Sequence, residues 1–302
     1  MKRFLPYLQL MRLSALFTAL ADTFAGLMMN HSTLSPAGDF AWLLLSTTGL
    51  YLSGMVFNDL FDIEQDHAER PNRPIPSGAV PRSHAFLLGA ILMGGGLACA
   101  SLVRFHSFLL AVLLAVCILA YDGVLKKTWL GPFAMGGCRF LNILLAASAG
   151  VSSVAPWQST FQRPQLGFAI GIGVYIAGLT VFARTEAQSV SRKQLLGAGM
   201  LLANLGVAVL LWQVWVWPGE ISRVQIASGL VIIALVLNRR WTQAIFHPEP
   251  VYVQAGVKLG LLTLIVFDAT LIYWKTGEAA YSLIVVALLL PAMFLGKLIP
   301  MT

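Results

Sequence analysis

The chain has 302 residues, of which 58% are hydrophobic and only 11% charged, with a formal net charge of +7 and a mean hydropathy of +0.77. Soluble domains carry charge on roughly a quarter of their residues, so this composition excludes a soluble fold and predicts an all-α polytopic membrane protein surrounded by lipid. The surplus of Lys and Arg belongs to loop topology and is no nucleic-acid footprint.

A hydrocarbon core about 30 Å thick needs about 20 apolar residues of helix. Such runs fall near 13–30, 40–61, 84–104, 107–125, 132–155, 165–184, 194–217, 221–238, 252–275 and 280–299. The count is nine or ten, because the last two are joined by only a few residues around Gly277. MKRFLPYLQLMR runs into the first span with no small-residue cleavage site, so no cleaved leader is expected. Loops on the side of Asn58 hold twelve basic residues: Lys2, Arg3, Arg70, Arg73, Arg82, Lys126, Lys127, Arg184, Arg192, Lys193, Arg239 and Arg240. The opposite loops hold four, Arg104, Arg163, Arg223 and Lys275. This imbalance places the N-terminus and the Asn58 loop on the cytoplasmic side of an inner, cytoplasmic membrane. No linker divides residues 1–302, which are expected to form one domain.

In chain order, Arg12 opens the first span and Asp22 lies midway along it. The second span ends in NDLFDIEQDHAERPNRPIPSG, residues 58–78. Asn58, Asp62 and Asp66 are spaced i, i+4, i+8, with Asp59 one position off the row. A continuing helix would line those oxygens on one face. Hard cations such as Mg²⁺ take oxygen ligands and complete their shell with substrate phosphates, and Arg70 and Arg73 follow as candidate phosphate contacts. The fourth span leaves through YDGVLKKT, with Tyr121, Asp122, Lys126 and Lys127. The fifth begins GPFAMGGCRFLN, where Gly131, Gly136 and Gly137 permit close helix approach and Arg139 and Asn142 share a face. An arginine one turn into an apolar helix is expensive unless it faces a polar cavity, so Arg139 is assigned to a cavity, touching phosphate or an acidic residue. The sixth span ends in Phe182, Ala183, Arg184, Thr185, Glu186, a weak echo of the second span of the kind that brackets sites between repeats. Trp212, Trp215 and Trp217 read as an interfacial belt. Asp268, like Asp22, is an isolated acid at membrane depth; each has a role toward the acceptor or pairs with Arg12, Arg139 or Lys258. Phe17, Phe24, Phe57 and Phe140 read first as lipid-facing packing and second as the wall of a prenyl tunnel. Cys99, Cys117 and Cys138 read as small buried hydrophobes, and the five histidines show no metal-ligand spacing.

NDxxDxxxD followed by RPxRPxxxG, complete from Asn58 to Gly78, is the first signature of the UbiA superfamily of intramembrane prenyltransferases, which this chain resembles over most of its length. The resemblance implies a bundle of nine helices around a central cavity open to cytoplasm and lipid. It also implies Mg²⁺-dependent transfer of a prenyl group from an allylic polyprenyl diphosphate to an acceptor in the membrane. Metal ligands would come from Asn58, Asp59, Asp62, Asp66 and Glu186. Arg12, Arg70, Arg73, Tyr121, Lys126, Arg139 and Asn142 would bind substrate, Lys126 being favoured over Lys127. Family members carry a DxxxD-like second motif after the sixth helix; here Arg184 and Glu186 stand instead, as in EboC-like proteins. Asp62, Asp66, Arg184 and Glu186 form the expected catalytic set, with Arg184 supplying charge that a second metal otherwise gives. The acceptor is not legible. Two other classes stay open: an ion-coupled transporter, recognised by uptake without pyrophosphate release, and a non-catalytic isoprenoid-lipid-binding scaffold, recognised by donor binding that persists in chelator.

Overall fold

The computed structural model describes residues 5–31, 33–34, 36–149, 163–184 and 192–298. Backbone at membrane depth has no water to bond with, so each apolar run closes its own hydrogen bonds as a helix. Among the described residues the helices are α1 Leu5–Leu10, α2 Leu13–Asn30, α3 Ala37–Phe61, α4 Ile63–Glu69, α5 Arg82–Val103, α6 Phe105–Gly123 and α7 Gly131–Ala147. They continue as α8 Arg163–Ala183, α9 Arg192–Val216, α10 Arg223–Phe246, α11 Pro250–Thr276, α12 Ala279–Ala287 and α13 Leu289–Leu298. Among the described residues, nine spans are long and apolar enough to cross a membrane, counting Ala279–Gly296 as one.

The fifth apolar run is the shorter helix α7, outside those nine, whose 17 residues reach about 26 Å, close to the hydrocarbon thickness. The segments flanking Gly277 are two helices and no broken single one. Gly277 takes φ 70° at the end of α11, and Ser282 Oγ then donates to Ala269 O at 2.9 Å. Residues that far apart on a straight helix would lie about 20 Å apart, so the chain doubles back.

The helices sort into a centre and a rim. In α2, 72% of the apolar window is buried, against 11% in Ala279–Gly296. Rim helices turn large apolar side chains outward, among them Phe86, Ile91, Leu201 and Leu235, an inside-out pattern suited to lipid. Trp212 and Trp215 are exposed near the end of α9, while Trp217 packs against the core. The fifteenth residue of α9, Gly206, sets its approach to α8: a Cβ there would stand 2.5 Å from Tyr175 N and 2.6 Å from Gly171 O. Gly206→Ala is therefore expected to cost about 1–3 kcal/mol by overpacking. Gly229→Ala, with nothing within 4 Å of its Cβ position, should leave thermal unfolding of the purified protein unchanged or slightly raised.

Candidate active site

The chain after α4 folds back over the end of α3. Ile75 and Val80 bury against Leu10, Val56 and Ile63 in a small separate core. Val80 N donates to Pro74 O at 2.9 Å, and Gly78 turns with φ 76°. Prolines stiffen this segment, and the anchored loop directs Arg73 at the acidic residues of α3 and α4.

The acidic stretch does not form the single row that its spacing suggests. The backbone ladder runs on through Asp62, with Asp62 N to Asn58 O at 3.1 Å and Asp66 N to Asp62 O at 2.8 Å, but φ −94° and ψ 7° at Asp62 kink the axis. The oxygens separate into two pairs, each gathered on one cation. Lys126 Nζ lies 2.9 Å from Asn58 Oδ1 and 2.7 Å from Asp62 Oδ1. Arg73 Nη1 lies 2.7 Å from Asp66 Oδ2 and 3.3 Å from Asp59 Oδ1. Asp59 and Asp66 are two turns apart, hence on one face, so Asp59 belongs to the cluster from which its spacing seemed to displace it. Arg12 completes the network at 2.7 Å from Asp59 Oδ1. Its backbone is left-handed, φ 45°, a strain of about 1–3 kcal/mol for a non-glycine residue, where α1 breaks and α2 begins.

Arg184 does not reach the carboxylates. Its Nη2 donates to Lys126 O, and its guanidinium fills the space beside Gly131, so it holds the turn that presents Lys126. Lys127 is exposed, as is Arg70, which makes no ion pair among the described residues. Thr185 and Glu186 lie outside the described residues.

Below this mouth opens a cavity of about 260 Å³, lined at the top by Arg12, Asn58, Tyr121 and Asp122. Its walls are aliphatic, with Leu50, Leu114, Ile118, Leu179 and Leu261. Phe17, Phe24, Phe57 and Phe140 do not line it: Phe24 packs edge-on against Phe40 and Phe57 against Phe86. Buried Asp122, named in YDGVLKKT but given no role from the sequence, is a carboxylate at the mouth.

At the deep end, Arg139 stands apart from the acidic mouth. Its Nη1 donates to Asp22 Oδ2 at 2.6 Å and its Nη2 to Thr18 Oγ1 at 2.8 Å. Of the partners open to Asp22, Arg139 is the one taken; Lys258 is exposed. Asn142 is consumed by helix packing, accepting from Thr47 Oγ1 at 2.8 Å and donating to Ala19 O at 3.1 Å.

Among the described residues no cluster of three or more His, Cys, Asp or Glu is gathered to hold a metal. The donor chemistry nonetheless fits Mg²⁺. Asn58 Oδ1 and Asp62 Oδ1 converge on one point where the ammonium of Lys126 stands in for a cation, and Mg²⁺ is bound through one or two carboxylates plus substrate phosphates and water.

Helices of this length, an inside-out surface, and a charged mouth over an apolar intramembrane cavity define an integral membrane protein built around a buried cavity. The chain belongs to the UbiA prenyltransferase family, whose model matches residues 19–299. It is 32% identical over 123 residues to a digeranylgeranylglyceryl phosphate synthase of Metallosphaera sedula, covering 41% of this chain and 43% of that one. It is 38% identical over 74 residues to the synthase of Sulfurisphaera tokodaii, covering 24% and 27%. The chain thus spans less than half the length of these curated relatives. A UbiA homologue from Aeropyrum pernix K1, without ligand, superposes with a TM-score of 0.69 at 20% identity, covering 87% of this chain and 98% of that one. A UbiA homologue from Archaeoglobus fulgidus bound to DMAPP and Mg²⁺ gives 0.68 at 15% identity, covering 93% and 99%. At such identities the likeness establishes the fold.

Proposed function

We propose that this chain, as one domain of 302 residues, transfers a prenyl group from an allylic polyprenyl diphosphate to an acceptor within the membrane, releasing pyrophosphate. The observation that carries the reading is the convergence of Asn58 Oδ1 and Asp62 Oδ1 on Lys126 Nζ, at the mouth of a cavity whose walls are aliphatic. Asn58 and Asp62 hold Mg²⁺, and Asp59 and Asp66 hold Arg73 beside it or take a second ion in its place. When bound, the metal neutralises charge developing on the leaving diphosphate. With Asn58 and Asp62 on the metal, Lys126 would be available to the diphosphate oxygens, as would Arg73 and Arg12 where a second ion takes Asp59 and Asp66. The aliphatic cavity seats the prenyl chain and keeps water from the allylic cation until the acceptor attacks. Arg184 acts through Lys126 by holding its turn, and Glu186 bears on a weaker second metal position. The homologous solved protein bound to DMAPP and Mg²⁺ supports donor and metal, and the synthase relatives support an acceptor that is itself a membrane lipid. The twelve-to-four excess of basic residues supports a mouth and an N-terminus on the cytoplasmic side.

Detergent-purified protein with labelled geranylgeranyl diphosphate, Mg²⁺ and a mixed lipid extract should move label into a lipid product as pyrophosphate appears. Label left wholly in the diphosphate at every Mg²⁺ concentration would sink the reading. Lys126→Ala is expected to weaken donor binding about tenfold, the worth of one charged hydrogen bond. The exposed neighbour gives the control: Lys127→Ala should bind donor like the wild type.

A further inference from the structure

The deep polar group has chemistry that the diphosphate site does not use. Asp22 lies ten residues past Arg12, about 15 Å along α2. Asp22 and Asp268 are fully buried, on the helices α2 and α11, which pack against each other. Yet among the described residues no donor reaches Asp22 Oδ1 or either oxygen of Asp268. Two carboxylates and one guanidinium would leave a net negative charge in an apolar interior, which is costly. One proton kept on Asp268, whose two oxygens meet no donor among the described residues, makes the group neutral, because a buried carboxylate without a partner is costly. Arg139 meanwhile lines the cavity beside Tyr51, its guanidinium 5.8 Å from that ring. A guanidinium has five N–H donors, and Asp22 and Thr18 take two of them. Asn142 and Thr47 spend their polar atoms on each other and on α2. Arg139 therefore holds the spare donors at this end, in a setting whose charge is already cancelled. An anion there would be buried without compensation, whereas a neutral oxygen would not.

We infer that the deep end of the cavity binds a neutral carbonyl or hydroxyl oxygen of the prenyl acceptor on Arg139, with Asp22 cancelling its charge and Asp268 holding a proton. The inference rests on the prenyl-transfer reading and names the acceptor class that this site selects. Calorimetric titration of the full chain, with Mg²⁺ and geranylgeranyl thiodiphosphate, tests it with two probes of equal size. 4-Hydroxyacetophenone carries a neutral carbonyl where 4-hydroxybenzoate carries a carboxylate. The ketone should bind at least about tenfold tighter, since an uncompensated buried charge is costly. Asp268→Asn, which keeps a neutral donor, should preserve that preference, and its infrared spectrum should lack a protonated-carboxyl band present in the wild type. The double variant Asp22→Asn with Asp268→Asn leaves Arg139 uncompensated and should favour the benzoate; if it does not fold, Asp268→Asn decides alone. Benzoate binding as tightly as the ketone, binding of neither probe, loss of the preference in Asp268→Asn, or absence of the infrared band would each overturn the inference. Mg²⁺-dependent binding of the thiodiphosphate is read in its own titration, and its absence would count against the prenyl-transfer reading itself.

Discussion

Replacing Asp62 by asparagine is expected to cut Mg²⁺-dependent pyrophosphate release from geranylgeranyl diphosphate about a thousandfold, since several kcal/mol of charge stabilisation depend on the metal. The substitution keeps the shape of the side chain and removes one negative charge from the point where Lys126 Nζ now sits 2.7 Å away. Lys126 keeps its 2.9 Å bond to Asn58 Oδ1, so the mouth should hold together. Asp62 is partly open to water, 17% exposed, so little stability rides on it. Size-exclusion behaviour and thermal unfolding should match the wild type while turnover collapses. Release that survives in this variant would move the metal away from Asn58 and Asp62.

The second large effect lies deeper and falls on stability. Asp22→Ala removes the carboxylate that receives Arg139 Nη1 at 2.6 Å and leaves a buried guanidinium whose remaining side-chain hydrogen bond among the described residues goes to Thr18. Breaking a buried pair from one side costs about 3–5 kcal/mol where the other charge is stranded, and loss of the Asp268 proton offsets part of that. Arg139 is 9% exposed and Asp22 not at all, so hydration offers little relief. Thermal unfolding in detergent should fall sharply for Asp22→Ala. It should fall less for Thr18→Val, which loses one hydrogen bond worth about 1 kcal/mol. Equal losses would mean that the pair contributes nothing beyond an ordinary hydrogen bond.

What the sequence reveals here follows the range of the interaction. Apolar runs announce the spans because a helix at membrane depth satisfies itself locally, and the run ending at Asn58 announces the mouth because charge appears abruptly where the apolar residues stop. Asn58 and Asp62 share a cation as their four-residue spacing implies. The pairing of Asp59 with Asp66 escapes that rule, since it depends on Arg73 arriving on a loop pinned by Ile75 and Val80. The tie between Asp22 and Arg139 joins residues 117 apart in sequence, and nothing local distinguishes Arg139 from other cations as its partner. Lys126 and Lys127 are neighbours with identical chemistry; a short 3₁₀ turn at Leu125–Lys127, held by Arg184, sends one in and the other out. The reversal at Gly277 is invisible to hydropathy, which reads two adjoining apolar stretches alike. Aromatic residues were poor guides to the cavity wall, because helices apolar on every side carry no periodic mark of which face lines a chamber.

The claim on which the rest depends is that Asn58 and Asp62 hold the divalent ion where Lys126 now stands. Mn²⁺ in place of Mg²⁺, counted by electron paramagnetic resonance with geranylgeranyl thiodiphosphate present, tests it without any acceptor. The wild type should withdraw Mn²⁺ from the free signal in step with the donor analogue, and Asp62→Ala and Asn58→Ala should withdraw far less. Equal Mn²⁺ uptake in all three proteins, or donor binding in the wild type with no Mn²⁺ taken up, would contradict it.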